Sequence, residues 1–250
     1  MQLDSLTEYL DDYLRAGEYQ DYAPNGLQVE GRREVRKIAL GVTASLRFIE
    51  AARERGADAV LVHHGWFWKG EPAPIVGMKK RRVAALLGAD MSLIAYHLPL
   101  DAHEEVGNNA RLAAELGLKV VERRGEYGLV NICEPVSGPL EREFFIERVA
   151  SVLKRRPLCV GAEPARLSRI ALCSGGAQDF LGEAVRAGCD AYLSGEISER
   201  TTHEAREQGI LYLSAGHHAT ERFGIQALGA RLEEAFPGLE CFYLEDENPV

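Results

Sequence analysis

Three short segments carry residue types that could hold a metal ion: His63-His64-Gly65, His97-Leu98-Pro99-Leu100-Asp101 and Gly216-His217-His218-Ala219-Thr220-Glu221. His217 and Glu221 are four residues apart, so a helix that starts here projects both side chains from one face toward one ion. His97 and Asp101 repeat that spacing. Imidazole and carboxylate donors without thiolate suit zinc, manganese, nickel or iron. A histidine and an acid one turn apart are also common on solvated helix faces. Here, however, four histidines (His63, His64, His97 and His217) and two acids all follow short apolar runs. One ion with three or four ligands leaves donors over, whereas two ions bridged by carboxylates use them. Paired ions about 3.5 to 4 Å apart are a recurring hydrolytic device. Asp101 and Glu221 are the natural bridges, because each carboxylate has two oxygens.

The apolar runs before these donors read as strands. Ile38 to Val42, a helix from about Ser45 to Arg55 and Ala59 to Val62 form a β-α-β pattern, and strands this apolar suit a parallel sheet covered on both faces. Ligands of open α/β sheets gather at the carboxyl ends of strands, where His63-His64 stands. Successive strand residues point to opposite faces, so both histidines serve one site only if the strand ends there and the chain turns, as Gly65 permits. A basic helix near 79 to 88 leads to the strand Leu93 to Tyr96, and Asn108 to Leu116 is a further helix. Leu3, Leu6, Leu10, Tyr13 and Leu14 predict an amphipathic first helix over 3 to 15. The polar loop from Asp21 to Glu30 is long for a connection. Residues 119 to 136 alternate as one or two strands, and a helix from about 140 to 154 is expected to turn Phe144, Phe145, Val149 and Val152 inward.

Compared with itself at an offset of 132, the chain matches without gaps: residues 38 to 61 against 170 to 193 share nine identities in 24 positions. Ordinary composition gives roughly one or two. The spacing therefore predicts an α/β fold of two similar β-α-β-based domains, 1–125 and 126–250, with a C-terminal helix able to pack back on the first. With a small gap, His97-x-x-x-Asp101 falls opposite His217-x-x-x-Glu221, while His63-His64 falls opposite Gly195-Glu196. The expected site is thus asymmetric, its extra imidazoles coming from the first repeat.

The chain has 250 residues, 46% hydrophobic and 27% charged, the balance of a soluble globular protein. No apolar run reaches the 18 or so residues of a membrane span, and Met1-Gln2-Leu3-Asp4 does not open a signal peptide, which predicts a cytoplasmic protein. Five cysteines without C-x-x-C spacing argue against a disulfide framework. A net charge of −9 disfavours bulk attraction to nucleic acid. The runs Lys79-Lys80-Arg81-Arg82 and Lys154-Arg155-Arg156 read as solvated helix faces.

Asp21-Tyr22-Ala23-Pro24-Asn25-Gly26-Leu27-Gln28, Gly41-Val42-Thr43-Ala44-Ser45, Val62-His63-His64-Gly65, His97-Leu98-Pro99-Leu100-Asp101, Ser194-Gly195-Glu196 and Gly216-His217-His218-Ala219-Thr220-Glu221 together resemble the Nif-three-like family, also known as GTP cyclohydrolase type I, class 2 homologues. The resemblance spans essentially the whole chain and is greatest to the short bacterial members. It implies a two-domain α/β fold with a dinuclear metal centre between the domains, and a toroidal homohexamer. Carried over, the ligands are His63, His64, Asp101, His217 and Glu221, with His97 as a nearby or weak ligand.

The leading expectation is a hydrolase of a small molecule that uses two divalent ions. His97 and Glu196 are candidate helpers; Thr43, Ser45, Trp66, Lys69, Asn108 and Glu196 are candidates for orienting a substrate. The alternative is a non-enzymatic metal carrier or a regulatory interaction protein linked to DNA-damage resistance. A ring that threads nucleic acid is a weaker third possibility.

Overall fold

The apolar runs flanking the histidines become strands of two separate sheets in the computed structural model, which describes all 250 residues. Helix α1 (Leu3–Tyr13) buries the Leu3, Leu6 and Leu10 stripe that the spacing predicts. Then come β1 (Gly26–Val29), β2 (Lys37–Thr43), α2 (Leu46–Glu54), β3 (Ala59–His64), α3 (Gly77–Gly88), β4 (Ser92–Ala95) and α4 (Leu98–Ala102). The chain continues through α5 (Asn108–Glu115), the hairpin β5 (Leu118–Arg124) and β6 (Val130–Pro135), β7 (Leu140–Glu141), α6 (Arg142–Leu153), β8 (Leu158–Gly161) and β9 (Arg166–Leu167). Last are β10 (Ile170–Cys173), α7 (Leu181–Arg186), β11 (Ala191–Ser194), α8 (Glu199–Gln208), β12 (Leu211–Ser214), α9 (His217–Thr220), α10 (Arg222–Ala235) and β13 (Glu240–Tyr243).

Two compact units result, one of Met1–Leu100 with Ile225–Glu247 and one of Asp101–Gly224 with Asn248–Val250. The division falls at 100/101 and not at the 125/126 expected from the repeat. A cut at 125 would sever β5 from its hairpin partner β6, to which it is bonded from Leu118↔Pro135 to Arg124↔Val130. Most of α10, together with β13, belongs to the first unit.

In the first unit the strand order is β1-β4-β3-β2-β13, with β1 the antiparallel edge and the other four parallel. Phe48, Ile49 and Ala52 of α2 and Leu86 of α3 cover one face, against Val60, Val62 and Leu93. In the second unit the order is β5-β6-β10-β11-β12-β8, with β10, β11 and β12 parallel at its centre. Its core joins Leu112, Phe145 and Val149 to Ile170, Leu172 and Leu193. Phe144, expected to face inward, is 54% exposed and lies under the Arg148 guanidinium. Adjacent helix positions diverge by about 100°, so α6 can turn only one of Phe144 and Phe145 to the core.

The duplication is visible bond by bond within each unit. Ile38 pairs with Ala59 in one sheet and Ile170 with Ala191 in the other, 132 residues on. Asp58 Oδ2 accepts from the Arg36 and Lys37 N–H groups, and Asp190 Oδ2 accepts from those of Ser168 and Arg169. Gly56 and Gly188 adopt the left-handed backbone at φ 70° and 68° to close the preceding helices. Farther on, Ala59↔Ser92 matches Ala191↔Leu211, an offset of 119. The ladders therefore set His97 opposite Gly216 and Asp101 opposite Thr220. The two His-x-x-x-acid segments align only after one further residue of slip, which the irregular start of α9 absorbs.

Because each carboxylate holds two strand-entry N–H groups, Asp58→Ala and Asp190→Ala should each lower stability by about 1 to 3 kcal/mol. Urea unfolding checks this; a change below about 0.5 kcal/mol in both would show that the shared bracket contributes nothing.

Candidate metal centre

Strand β3 runs through both histidines and the chain turns after them, at Gly65. A Cβ on Gly65 would lie 2.3 Å from Gln28 Oε1, which is seated there accepting from the Trp66 N–H. The turn brings the His63 and His64 rings to 4.5 Å between centroids, and His97, just past β4, lies 5.1 Å from His63 and 5.8 Å from His64. One coordinating atom from each of these three side chains lies within 4.8 Å of the other two.

Each ring is held through Nδ1. His63 Nδ1 bonds the Tyr96 carbonyl at 3.0 Å, His64 Nδ1 the Thr43 hydroxyl at 3.2 Å and His97 Nδ1 the Asp21 carboxylate at 2.7 Å. With Nδ1 committed to the protein, Nε2 is the ring atom offered for coordination. Asp21 is itself fixed, its Oδ2 accepting from the Leu98 N–H and the Asn25 amide while Asn25 Oδ1 accepts from the His97 N–H. Burial pulls the Asp21 carboxyl upward, but His97, Asn25 and the Leu98 N–H outweigh it and hold the pKa at about 2.

The second unit repeats the device with carboxylates. His217 Nδ1 meets Glu196 Oε1 at 2.6 Å, and its Nε2 lies 3.2 Å from Glu221 Oε1. His217 and Glu221 thus converge as their spacing predicts. Thr220 Oγ1 ties α9 down by accepting from the Gly175 N–H. A Cβ on Gly175 would stand 2.3 Å from Glu221 Oε1 and 3.2 Å from His217 Nε2, so only glycine leaves room beside this donor pair. Asp101, 8% exposed, accepts from Asn108 Nδ2 at 2.9 Å and from Ser174 Oγ at 3.3 Å. Burial pushes the Cys173 thiol well up, and the Asp101 and Glu221 charges push the same way, so it stays a protonated neighbour and not a thiolate donor.

Several residues expected to meet a substrate are otherwise engaged. Ser45 caps α2 through the Phe48 N–H, Trp66 is buried with Nε1 on the Ala44 carbonyl, and Asn108 spans Asp101 and the Gly224 N–H. Thr43 holds His64, and Glu196 holds His217. Lys69 donates its backbone N–H to the Tyr22 carbonyl. In the basic runs Lys79 pairs with Glu71, Arg156 with Glu147, and Arg155 reaches the Pro249 carbonyl. Sequence assigns Asp21, Asn25 and Gln28 no individual role; their signals are the long polar loop that contains them and the place of that segment among the six that carry the family resemblance.

The profile of the Duf34/NIF3 (NGG1p interacting factor 3) family matches residues 1–249. The chain belongs to this family. The GTP cyclohydrolase 1 type 2 homolog of Pseudomonas aeruginosa is 51% identical, with 99% of this chain and 98% of that one covered. The protein of the same name from Allochromatium vinosum is 50% identical, covering 98% and 96%. Among solved structures, protein ybgI, of unknown function, superposes with a TM-score of 0.96 at 45% identity, covering all of both chains. TTHA1606 from Thermus thermophilus gives 0.92 at 38% identity, again over the full length of both. The resemblance read from the six sequence segments, to the family and to the α/β architecture, is therefore borne out. No helix of this family member is long and apolar enough to cross a membrane.

Burial opposes charge on His217, but Glu221 and Glu196 outweigh it and raise its pKa to about 9. A raised pKa stabilises the fold fully below the free-histidine value near 6.5, and that contribution is lost as pH rises through 9. In metal-free protein the His217 ring should titrate near 9 by NMR, and Glu196→Gln should move it downward. A wild-type midpoint near 6.5 would contradict the carboxylate bracket.

Proposed function

We propose that His63, His64, Asp101, His217 and Glu221 together hold two divalent ions, and that the protein is a metal-dependent hydrolase of a small molecule. The observation that carries this reading is the committed Nδ1 of each donor histidine, the arrangement that orients imidazoles for a metal. The donor set fits: imidazole and carboxylate, no thiolate, and a glycine where a side chain would crowd Glu221. It suits zinc, manganese, iron or nickel. When bound, such a pair of ions acidifies water and neutralises negative charge developing on a substrate.

The chain's own residues do the positioning. Tyr96, Thr43 and Glu196 fix the tautomers of His63, His64 and His217, while Asn108 and Ser174 hold Asp101 by one oxygen and leave the other oxygen's direction defined. Glu196, bonded to His217, is also the carboxylate placed to take up a proton from that ring. The cyclohydrolase name of the curated relatives supports ring-opening hydrolysis of a heterocycle as the reaction class. We also propose the toroidal homohexamer as the assembly, for which light scattering should return the mass of six chains; a monomer mass would remove it.

Metal analysis after full loading tests the dinuclear reading. Wild type should hold two ions per chain, Asp101→Asn markedly fewer, and His64→Ala close to one. His63→Ala and His217→Ala should lose metal and keep their circular dichroism. One ion per fully loaded wild-type chain would end the bridging scheme.

A further inference from the structure

The first unit sets aromatic rings directly against its histidines. The segment that follows Gly65 carries Trp66, Phe67 and Trp68, which include both of the chain's tryptophans. Their settings differ. Trp66 is 4% exposed, with Nε1 on the Ala44 carbonyl. Trp68 is partly exposed, and its ring stands 5.0 Å from that of His97 and 5.9 Å from that of His64. Both imidazoles meet the indole steeply, at 82° and 58°, and no ring of the protein lies parallel to it. Tyr22, 63% exposed, adds a ring 6.4 Å from His97, and its carbonyl accepts from the Lys69 N–H at 2.6 Å, which joins the two loops beside the cluster.

The indole is presented by a strained turn. Phe67 takes the left-handed backbone at φ 65°, a conformation that a bulky side chain rarely adopts. Glu71 braces the turn: its carboxylate accepts from the Phe67 N–H at 3.1 Å, and its own N–H donates to the Trp68 carbonyl at 2.9 Å. Lys79 pairs with the same carboxylate and lies 5.1 Å from the centre of the Phe67 ring. Trp68 Nε1 donates back to the Gly65 carbonyl at 3.2 Å, which fixes the indole to its own turn. Strained backbone persists where its surroundings over-determine it, and it gathers at ligand sites. A tryptophan that only filled space would be covered, as Trp66 is.

We propose that Trp68 is a stacking platform for a planar heterocyclic ring, such as a purine or a pteridine, beside the candidate donors. This rests on the metal-binding reading above and names the residue that recognises the substrate of that site. A heterocycle stacked on an aromatic side chain is held through its π face and needs no hydrogen-bonding partner there. That suits a neighbourhood in which Thr43 and Asp21 are already bonded to His64 and His97.

Full-length, metal-loaded protein is titrated with two probes that carry a base, inosine and GTP, and two that do not, ribose and tripolyphosphate. Because Trp66 is buried, quenching of tryptophan emission reports on Trp68. Inosine and GTP should quench it, and ribose and tripolyphosphate should not. By calorimetry, Trp68→Leu, which keeps apolar bulk without a π face, should bind GTP about 5- to 150-fold more weakly, while Trp68→Phe keeps most of the wild-type affinity. Metal content and tripolyphosphate affinity should be unchanged in both variants. Wild-type GTP affinity in Trp68→Leu, or no quenching by either base-bearing probe, overturns the inference and leaves the metal reading standing. Equal losses of GTP and tripolyphosphate affinity in Trp68→Leu also overturn it, because they make Trp68 a support of the donor cluster. Quenching by inosine in protein that holds no ion after loading keeps the platform and removes the metal centre.

Discussion

An imidazole ring can coordinate through either nitrogen and can rotate about two bonds, so a cluster of histidines is a site only if something chooses the nitrogen and stops the rotation. In this protein that choice is made at Nδ1, by the Tyr96 carbonyl, the Thr43 hydroxyl and the carboxylates of Asp21 and Glu196. These acceptors sit on strand ends or on segments bonded to them, so their positions are set by the sheet ladders. A donor on a free loop would lose side-chain and backbone entropy on binding an ion. Here most of that loss is taken at folding, by cores that need the same strands anyway.

The same constraint accounts for how the two repeats have diverged. Their scaffolds remain nearly superimposable in bonding: the carboxylate bracket of Asp58 and Asp190, the left-handed Gly56 and Gly188, and matching parallel registers. Fifteen of the 24 aligned positions differ, and the differences that bear on the candidate site are those at the strand ends, outside the core. At the end of β3 stand His63 and His64; at the equivalent place after β11 stand Gly195 and Glu196. Gly195 lets backbone pass close, since a Cβ there would meet the Gly175 carbonyl oxygen at 2.6 Å, and Glu196 brackets the His217 ring in the place where the first repeat has the candidate donor His64. The donor cluster of one unit is rich in imidazole and that of the other in carboxylate.

Family members that share this fold at high identity carry names that range from a cyclohydrolase homologue to a protein of unknown function. That spread is physically reasonable, because the fold determines where donors can stand and much less what approaches them. In this chain the residues nearest the donors are largely committed to holding them: Asn108 to Asp101, Thr43 to His64, Glu196 to His217.

Much of this was determined by the sequence alone, and the limits of that have a common physical origin. Periodicity located the strands and the covering helices, because a buried strand or helix stripe depends on residues two to four apart, and the match of the chain with itself at an offset of 132 located the duplication. The pair His217 and Glu221 was legible for the same reason, being one helical turn. What only the tertiary structure decided are relations between residues far apart in the chain. Asp21 reaches His97 across 76 positions, Gln28 reaches Trp66 across 38, and Asn109 receives the Ser174 N–H across 65. The place where the units divide, the one-residue slip between His97 and His217, and the outward face of Phe144 belong to the same class. They depend on which strand lies beside which and on how a helix turns over its sheet, and local spacing carries no record of either.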